Sequence, residues 1–394
     1  MPDILLNARV FDGTQILEQH AVIIAQGKVL AVVEDNALPA GDIIDLAGQL
    51  LVPGFIDTQV NGGAGVLLNH QPSVDGIKAI AQAHRKFGTT AMLPTLISDD
   101  LEIVQQAIDA VREAMSQHVP GIVGIHLEGP FLNPLKKGVH PQEKLRSAEP
   151  EQLPLLSALA DLGRSVITMA PEVTAPALID KLRALNIRLS IGHSNADYTQ
   201  ARDALQMGFS AVTHLFNAMP PLLSREPGVI GAALEDDNCY CGIIVDGHHI
   251  HPSTLKTAVK AKARGKMFLV TDAVHSVGST SEELELMGQR IYSRDGKVST
   301  AAGVLAGSNL DMASAVRNCV ELLSLPLEEA LRMASLYPAH FLGLARTHGR
   351  IAAGYNADFA LLDQHLNVEA TWIGGQFERS GALCGAPVET VVTD

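Results

Sequence analysis

The chain reads as an α/β protein: a (β/α)8 TIM-like barrel with a small β-sandwich domain formed from both chain termini. Three observations predict this. Eight apolar runs of strand length recur through the middle of the chain, helix-period segments separate them, and the two ends share a β-rich texture that the middle lacks.

Residues 1–51 supply ILLNARVFDG, AVIIAQGKVLAVVE and DIIDLAGQLLVPG, short apolar runs broken by Gly and Asn. Residues 346–394 repeat that texture in GRIAAGYNADFALLD, NVEATWIGGQF and VETVVTD. Neither end holds enough strands for a sandwich of its own. The two are therefore expected to complete one small β domain, with residues 52–345 inserted between them as the barrel. Within the insert the strand runs are VPGFIDTQVN, TAMLPTLI, IVGIHLEG, VITMAPE, RLSIGH, AVTHLFN, CGIIVDG and MFLVTDA. Their near-continuous apolar character suits a parallel sheet buried on both faces. SVDGIKAIAQAHRKFG, DDLEIVQQAIDAVREAM and ALIDKLRALN carry the helical period between them. The rival, an open doubly wound sheet, usually carries a GxGxxG loop after its first strand, and VNGGAGV lacks that spacing.

Composition bounds the function. Hydrophobic residues make up 47% and charged residues 18% of the 394, enough apolar material for a large core. A net charge of −14 argues against a nucleic-acid partner, which needs Lys and Arg to neutralise phosphates, and against an anionic membrane surface. The four cysteines (Cys239, Cys241, Cys319, Cys384) form no CxxC pair and read as reduced. With no secretory signal and no spanning segment in the sequence, the expected location is the cytoplasm.

What ends the strand runs is the informative feature. The first finishes with Gln59 and Asn61, the third with Glu128 and the fifth with His193. The sixth carries His214, the seventh leads into His248 and His249, and the eighth ends in Asp272. In a closed parallel barrel these ends all open on one rim, where active sites are built. Taken singly, each is an ordinary solvated or satisfied polar residue. Jointly, a Glu, two His and an Asp suit a divalent cation and a proton carrier. His126 lies two residues before Glu128, on the same side of its strand but one level deeper, and reads as a hydrogen-bonded core residue. His20, His70, His84, His118, His348 and His365 read as structural or surface positions.

At PGFID, HLEGPF, IGHSNA, THLFNAMPP, REPG, DGHHI and VTDA, in this order, the chain resembles the N-acetylglucosamine-6-phosphate deacetylase family of the amidohydrolase superfamily. The resemblance spans essentially the whole chain, including the split β domain. It implies hydrolysis of the acetamide of N-acetyl-D-glucosamine 6-phosphate, giving D-glucosamine 6-phosphate and acetate. By motif it implies Glu128, His193 and His214 as metal ligands, Asp272 as catalytic general base and acid, and His140 of KGVH polarising the scissile carbonyl. Asn217, Ala218, Arg225 and His249 match positions that hold the sugar phosphate, and the Arg225 guanidinium is a planar fork suited to phosphate oxygens. Of the two adjacent histidines, the motif selects His249. The family also implies a homodimer or homotetramer and no organic cofactor.

One departure matters. Many superfamily members carry HxH after the first strand, supplying a second metal site, where this chain reads Gln59-Val60-Asn61. Neutral amides are poor ligands beside imidazole. One divalent metal per subunit is therefore expected, with Gln59 and Asn61 at most hydrogen-bonding to bound water. Zinc suits the Glu/His/His set first, and iron, manganese or cobalt suit it too. A dihydroorotase-like activity is a weaker alternative, since it calls for the HxH pair and a strand-end Lys. A silent scaffold barrel would have lost ligands or base, and this chain keeps both.

Overall fold

The computed structural model describes residues 1–380 and the backbone of a two-residue strand at Thr390–Val391. Cys384 and most of the VETVVTD run lie outside the described residues.

Each of the eight apolar runs forms a strand. In chain order these are Phe55–Val60, Thr89–Ile97, His126–Glu128, Val166–Met169, Arg188–Ile191, Phe209–Val212, Tyr240–Ile243 and Met267–Leu269. Spatial order follows chain order and the pairings are parallel, the outcome of helical crossovers that each return the chain to the next strand. The eighth strand meets the first through a bridge between Val60 and Ala273. Asp272 N donates to Gln59 O at 3.0 Å and Asn61 N to Ala273 O at 2.9 Å. The result is a nearly closed barrel.

Helices fill the intervals, among them Val74–Arg85, Leu101–Ser116, Pro176–Ala184 and Tyr198–Met207. The last has a capping box, with the Asp197 carboxylate accepting from Gln200 N and the Gln200 side chain answering Asp197 N. Inside the barrel, polar side chains satisfy one another. His126 Nδ1 donates to Thr58 O at 2.9 Å, and its Nε2 accepts from Thr168 Oγ1 at 2.7 Å. The hydroxyls of Thr168, Thr213 and Ser190 extend the chain at 2.6 Å per step. His126 is a bonded core residue, as the sequence reading has it. After the eighth strand comes an element with no barrel counterpart, the antiparallel meander Glu283–Leu286, Gln289–Arg294 and Lys297–Thr300.

The termini form a separate β-rich sheet. Leu50–Pro53 pairs antiparallel with Phe359–Leu362, joining N-terminal to C-terminal strands. Asp3–Phe11 forks: its first half pairs with Asp42–Asp45, its second with Leu50 and Leu51. One core beneath gathers Leu5, Val10, Val22, Ile24, Leu51, Phe359 and Trp372. Two compact units result: Met1–Ile56, His84–Ala91 and the chain from Met312, and Asp57–Ala83 with Met92–Asp311. Among the described residues, Cys239, Cys241 and Cys319 are buried and free. No helix among them is long and apolar enough to cross a membrane.

Candidate active site

Glu128 ends the third barrel strand, while His193, His214 and Asp272 follow the fifth, sixth and eighth by a few residues. Glu128, His193 and His214 are buried and Asp272 is half-buried. The three that follow strands adopt left-handed backbone, with φ of +48° at His193, +32° at His214 and +51° at Asp272. That turn takes the chain out of the strand. Gly129, at φ +92°, is required beside Glu128, since a Cβ there would lie 2.3 Å from Ser98 Oγ.

Three donor atoms converge. His214 Nε2 stands 2.9 Å from Glu128 Oε1 and 3.1 Å from His193 Nε2, and His193 Nε2 is 3.3 Å from Glu128 Oε1. Donors around one tetrahedral ion with bonds of about 2.0–2.1 Å stand about 3.3 Å apart, so this set fits a single divalent cation. His193 Nδ1 donates to Lys136 O at 2.8 Å, which leaves its Nε2 lone pair bare toward the cluster. Burial alone would raise the Glu128 carboxyl, but hydrogen bonds and charge from His193 and His214 outweigh it and hold its pKa well below the ordinary value. A ring nitrogen of His140 also comes within 4.8 Å of donors of Glu128 and His193. That grouping is looser.

His140 has a different assignment. The Ser98 backbone N–H, which can only donate, reaches His140 Nδ1 at 3.2 Å, with Ser98 Oγ at 2.8 Å from the same nitrogen. The proton of the neutral ring therefore sits on Nε2. Burial, with His193 beside it, holds the His140 pKa well below the usual histidine value, so the ring is a neutral donor.

Gln59 and Asn61 do more than contact water. Gln59 Nε2 donates to Glu128 Oε2 at 3.0 Å and Asp272 Oδ1 at 3.1 Å, and Asn61 Nδ2 donates to Asp272 Oδ1 at 2.7 Å. The Gln59 amide thus bridges the two carboxylates directly, and the Asn61 amide adds a second neutral donor to Asp272. Burial and the nearby Glu128 charge push Asp272 up to about 6. Its backbone is clamped on both sides, N to Gln59 O and O to Ser308 N at 2.9 Å.

The cluster opens on a cavity of about 240 Å³, a little below the usual span of small-molecule sites. Asn61, Glu128, His140, His193, His214, Asn217, His249 and Asp272 make its polar wall, and Ile97, Val139, Ala218, Val274, Leu286, Val304 and Leu305 its apolar one. His249 Nδ1 donates to Asp246 Oδ2 at 2.6 Å, and His248 turns instead into a neighbouring groove with Tyr292, Arg294 and Lys297. Arg225 is exposed, on a loop with exposed Leu222 and Leu223, and does not line the cavity of its own chain. Sequence reading passed over Ser98 and Glu172. Glu172 closes the run VITMAPE and was open to the same strand-end argument as Glu128; Ser98 carries no such signal.

The sequence pattern of the amidohydrolase family matches residues 50–380, and that of the NagA composite domain matches residues 4–51. The chain is 46% identical over 331 residues to an N-acetylgalactosamine-6-phosphate deacetylase of Shewanella sp. (strain ANA-3), 84% of each chain being covered. The crystal structure of N-acetylglucosamine-6-phosphate deacetylase from Pasteurella multocida superposes with a TM-score of 0.93 at 35% identity, covering 96% of this chain and 100% of that one. A mutant of the Mycobacterium smegmatis N-acetyl-D-glucosamine-6-phosphate deacetylase, in complex with N-acetyl-D-glucosamine-6-phosphate, gives 0.88 at 32% identity, covering 95% and 99%.

Proposed function

The chain belongs to the amidohydrolase family, and on that footing we propose that it hydrolyses the acetamide of N-acetyl-D-glucosamine 6-phosphate, yielding acetate and D-glucosamine 6-phosphate for amino-sugar catabolism. The observation that carries this reading is the convergence of Glu128, His193 and His214 within 3.3 Å of one another, with Asp272 on the same cavity wall.

Glu128, His193 and His214 would hold one divalent cation, zinc by the chemistry of the donor set, with iron, manganese or cobalt also suited. Bound there, such an ion supplies Lewis acidity, which polarises a carbonyl and lowers the pKa of water. Asp272 receives both amide hydrogen bonds on Oδ1, and in this reading Oδ2 takes a proton from the attacking water. His140 donates Nε2–H to the carbonyl oxygen as negative charge grows there. The C–N bond breaks and the proton on Asp272 passes to the departing amine. A base with a pKa of about 6 suits work near neutral pH.

Asn217, Ala218 and His249 would meet the sugar phosphate from within the cavity. Arg225 stands outside it, so in this reading the loop carrying exposed Leu222 and Leu223 brings Arg225 to the cavity of a second copy. That agrees with the homodimer or homotetramer the family implies.

A second reading, the C4 epimer N-acetyl-D-galactosamine 6-phosphate as substrate, is favoured by the 46% identity to a deacetylase of that name. One assay tests both. Acetate release is measured from the two phosphorylated sugars, before and after chelation. Release from either epimer that chelation abolishes supports the reaction class, and the ratio of kcat/KM selects the epimer. Release from neither would refute the proposal.

A further inference from the structure

The fourth barrel strand, Val166–Met169, contributes nothing to the donor cluster, yet a carboxylate three residues beyond it reaches the loops after the third and fifth strands, two of the three segments that build the cluster. Glu172 Oε1 accepts from Asn133 Nδ2 at 2.9 Å and from Asn195 N at 2.6 Å, and its Oε2 accepts from Ser194 Oγ at 2.7 Å. Its three donors are neutral and come from two different loops.

His193 lies between those loops. Ser194 and Asn195 are the next two residues after it. Asn133 N donates to His193 O at 2.9 Å, and Asn133 Oδ1 caps the short turn Pro134–Lys136 through Leu135 N at 2.9 Å. The carbonyl at the end of that turn, Lys136 O, accepts from His193 Nδ1 at 2.8 Å. The same loop continues to His140, whose ring stacks edge-on against His193 with centroids 4.4 Å apart. The His193 carbonyl thus leads back to Glu172 in two hydrogen bonds, through Asn133, and its Nδ1 in three, through Lys136 and Asn133. A left-handed residue such as His193 keeps its conformation only where its surroundings fix it.

We propose that Glu172 is a positioning residue: it ties the loop after the third strand to the loop after the fifth and so fixes the His193 imidazole for cation binding. The inference rests on the metal reading above and extends it to a residue with no contact to the ion. Groups that orient metal ligands typically carry about 10–100-fold in metal affinity.

The test is zinc affinity of the full-length, metal-stripped chain, measured by competition with a chromogenic chelator, for wild type, Glu172→Ala and Glu172→Gln. Glu172→Ala is expected to weaken zinc binding about 10–100-fold. Glu172→Gln is expected to stay within a few-fold of wild type, because its carbonyl oxygen still accepts from Asn133 and Asn195 while its NH2 can donate to Ser194 Oγ. Equal affinities in wild type and Glu172→Ala would overturn the proposal. So would an equal loss in both variants, which would mean that charge rather than position is at work. Should Glu172→Ala fail to fold, Asn133→Ala breaks the same tie and leaves the carboxylate in place, and unchanged affinity there overturns the proposal as well. A wild-type chain that binds no zinc would remove the metal reading itself, an outcome distinct from equal affinities.

Discussion

Replacing Asp57 by Asn should make the fold more stable at alkaline pH and flatten its response to pH. Asp57 sits fully buried in the first barrel strand. Its Oδ2 accepts from Thr271 Oγ1 at 2.5 Å, and its Oδ1 accepts from Gln59 N at 3.1 Å and Thr271 N at 3.3 Å. Those bonds do not offset burial, which with the charge of Asp272 pushes the carboxyl from 3.8 up to about 7. The folded chain therefore holds this proton over a range in which the unfolded chain has released it. Stability is greatest below pH 4 for this group and falls as pH rises through 7. At about 1.36 kcal/mol per pKa unit the whole loss is on the order of 4 kcal/mol, of which about 2.5 kcal/mol falls between pH 5 and pH 8. Asn reproduces the protonated shape. Its oxygen keeps both N–H donors, and its NH2 can donate to Thr271 Oγ1, which is still able to donate to Gln59 O at 3.3 Å. Urea unfolding with chelator present, followed by far-UV circular dichroism, measures this. The wild type should lose about 2.5 kcal/mol more than Asp57→Asn between pH 5 and 8. Parallel pH profiles for the two chains would refute the reasoning.

Three further outcomes are expected. Asp272→Asn should lower kcat by about 10²–10⁴-fold while metal content stays at the wild-type level, checked by steady-state kinetics and elemental analysis; near-normal turnover would remove Asp272 from the mechanism. Metal analysis of the purified chain should find one tightly held divalent ion per subunit, because Gln59 and Asn61 fill the place of a second site with N–H donors, and two tight ions would contradict this. Arg225→Ala should raise KM for the phosphorylated sugar about tenfold or more and leave the slow turnover of unphosphorylated N-acetyl sugar unchanged, the difference being the charge-assisted bond to phosphate. Equal losses on both substrates would mean that Arg225 does not read phosphate.

The barrel was legible because its signal is local and repeated: near-continuous apolar runs of strand length recur, and segments of helical period separate them. The rim residues were legible for the same reason, since a strand's end can be read from where its apolar run stops. Other features were not. Glu172 acts through partners 39, 22 and 23 positions away, and nothing about a lone Glu after Ala-Pro predicts that separate loops will close on it. Ser98 orients His140 with a backbone N–H, a group that every residue except proline carries. The amides of Gln59 and Asn61 were limited to water contacts because residue type reveals donor capacity but not which acceptor lies in reach. The meander after the eighth strand reads in sequence as mixed polar chain, with exposed positions alternating against a few buried ones such as Leu286, Ile291 and Val298. The fork of Asp3–Phe11 depends on two later strands competing for one edge, a tertiary choice with no local signature.

His193, His214 and Asp272 all carry side chains where the backbone favours glycine. Such a residue holds on the order of 1–3 kcal/mol of conformational strain. Glycine at any of the three would relax the chain, so the sturdiest version of this barrel would be an inert one. Selection for heat resistance and selection for turnover therefore pull against each other at these positions. A consensus-guided search for hardier variants would do best to leave these three alone and look for its gains elsewhere in the chain.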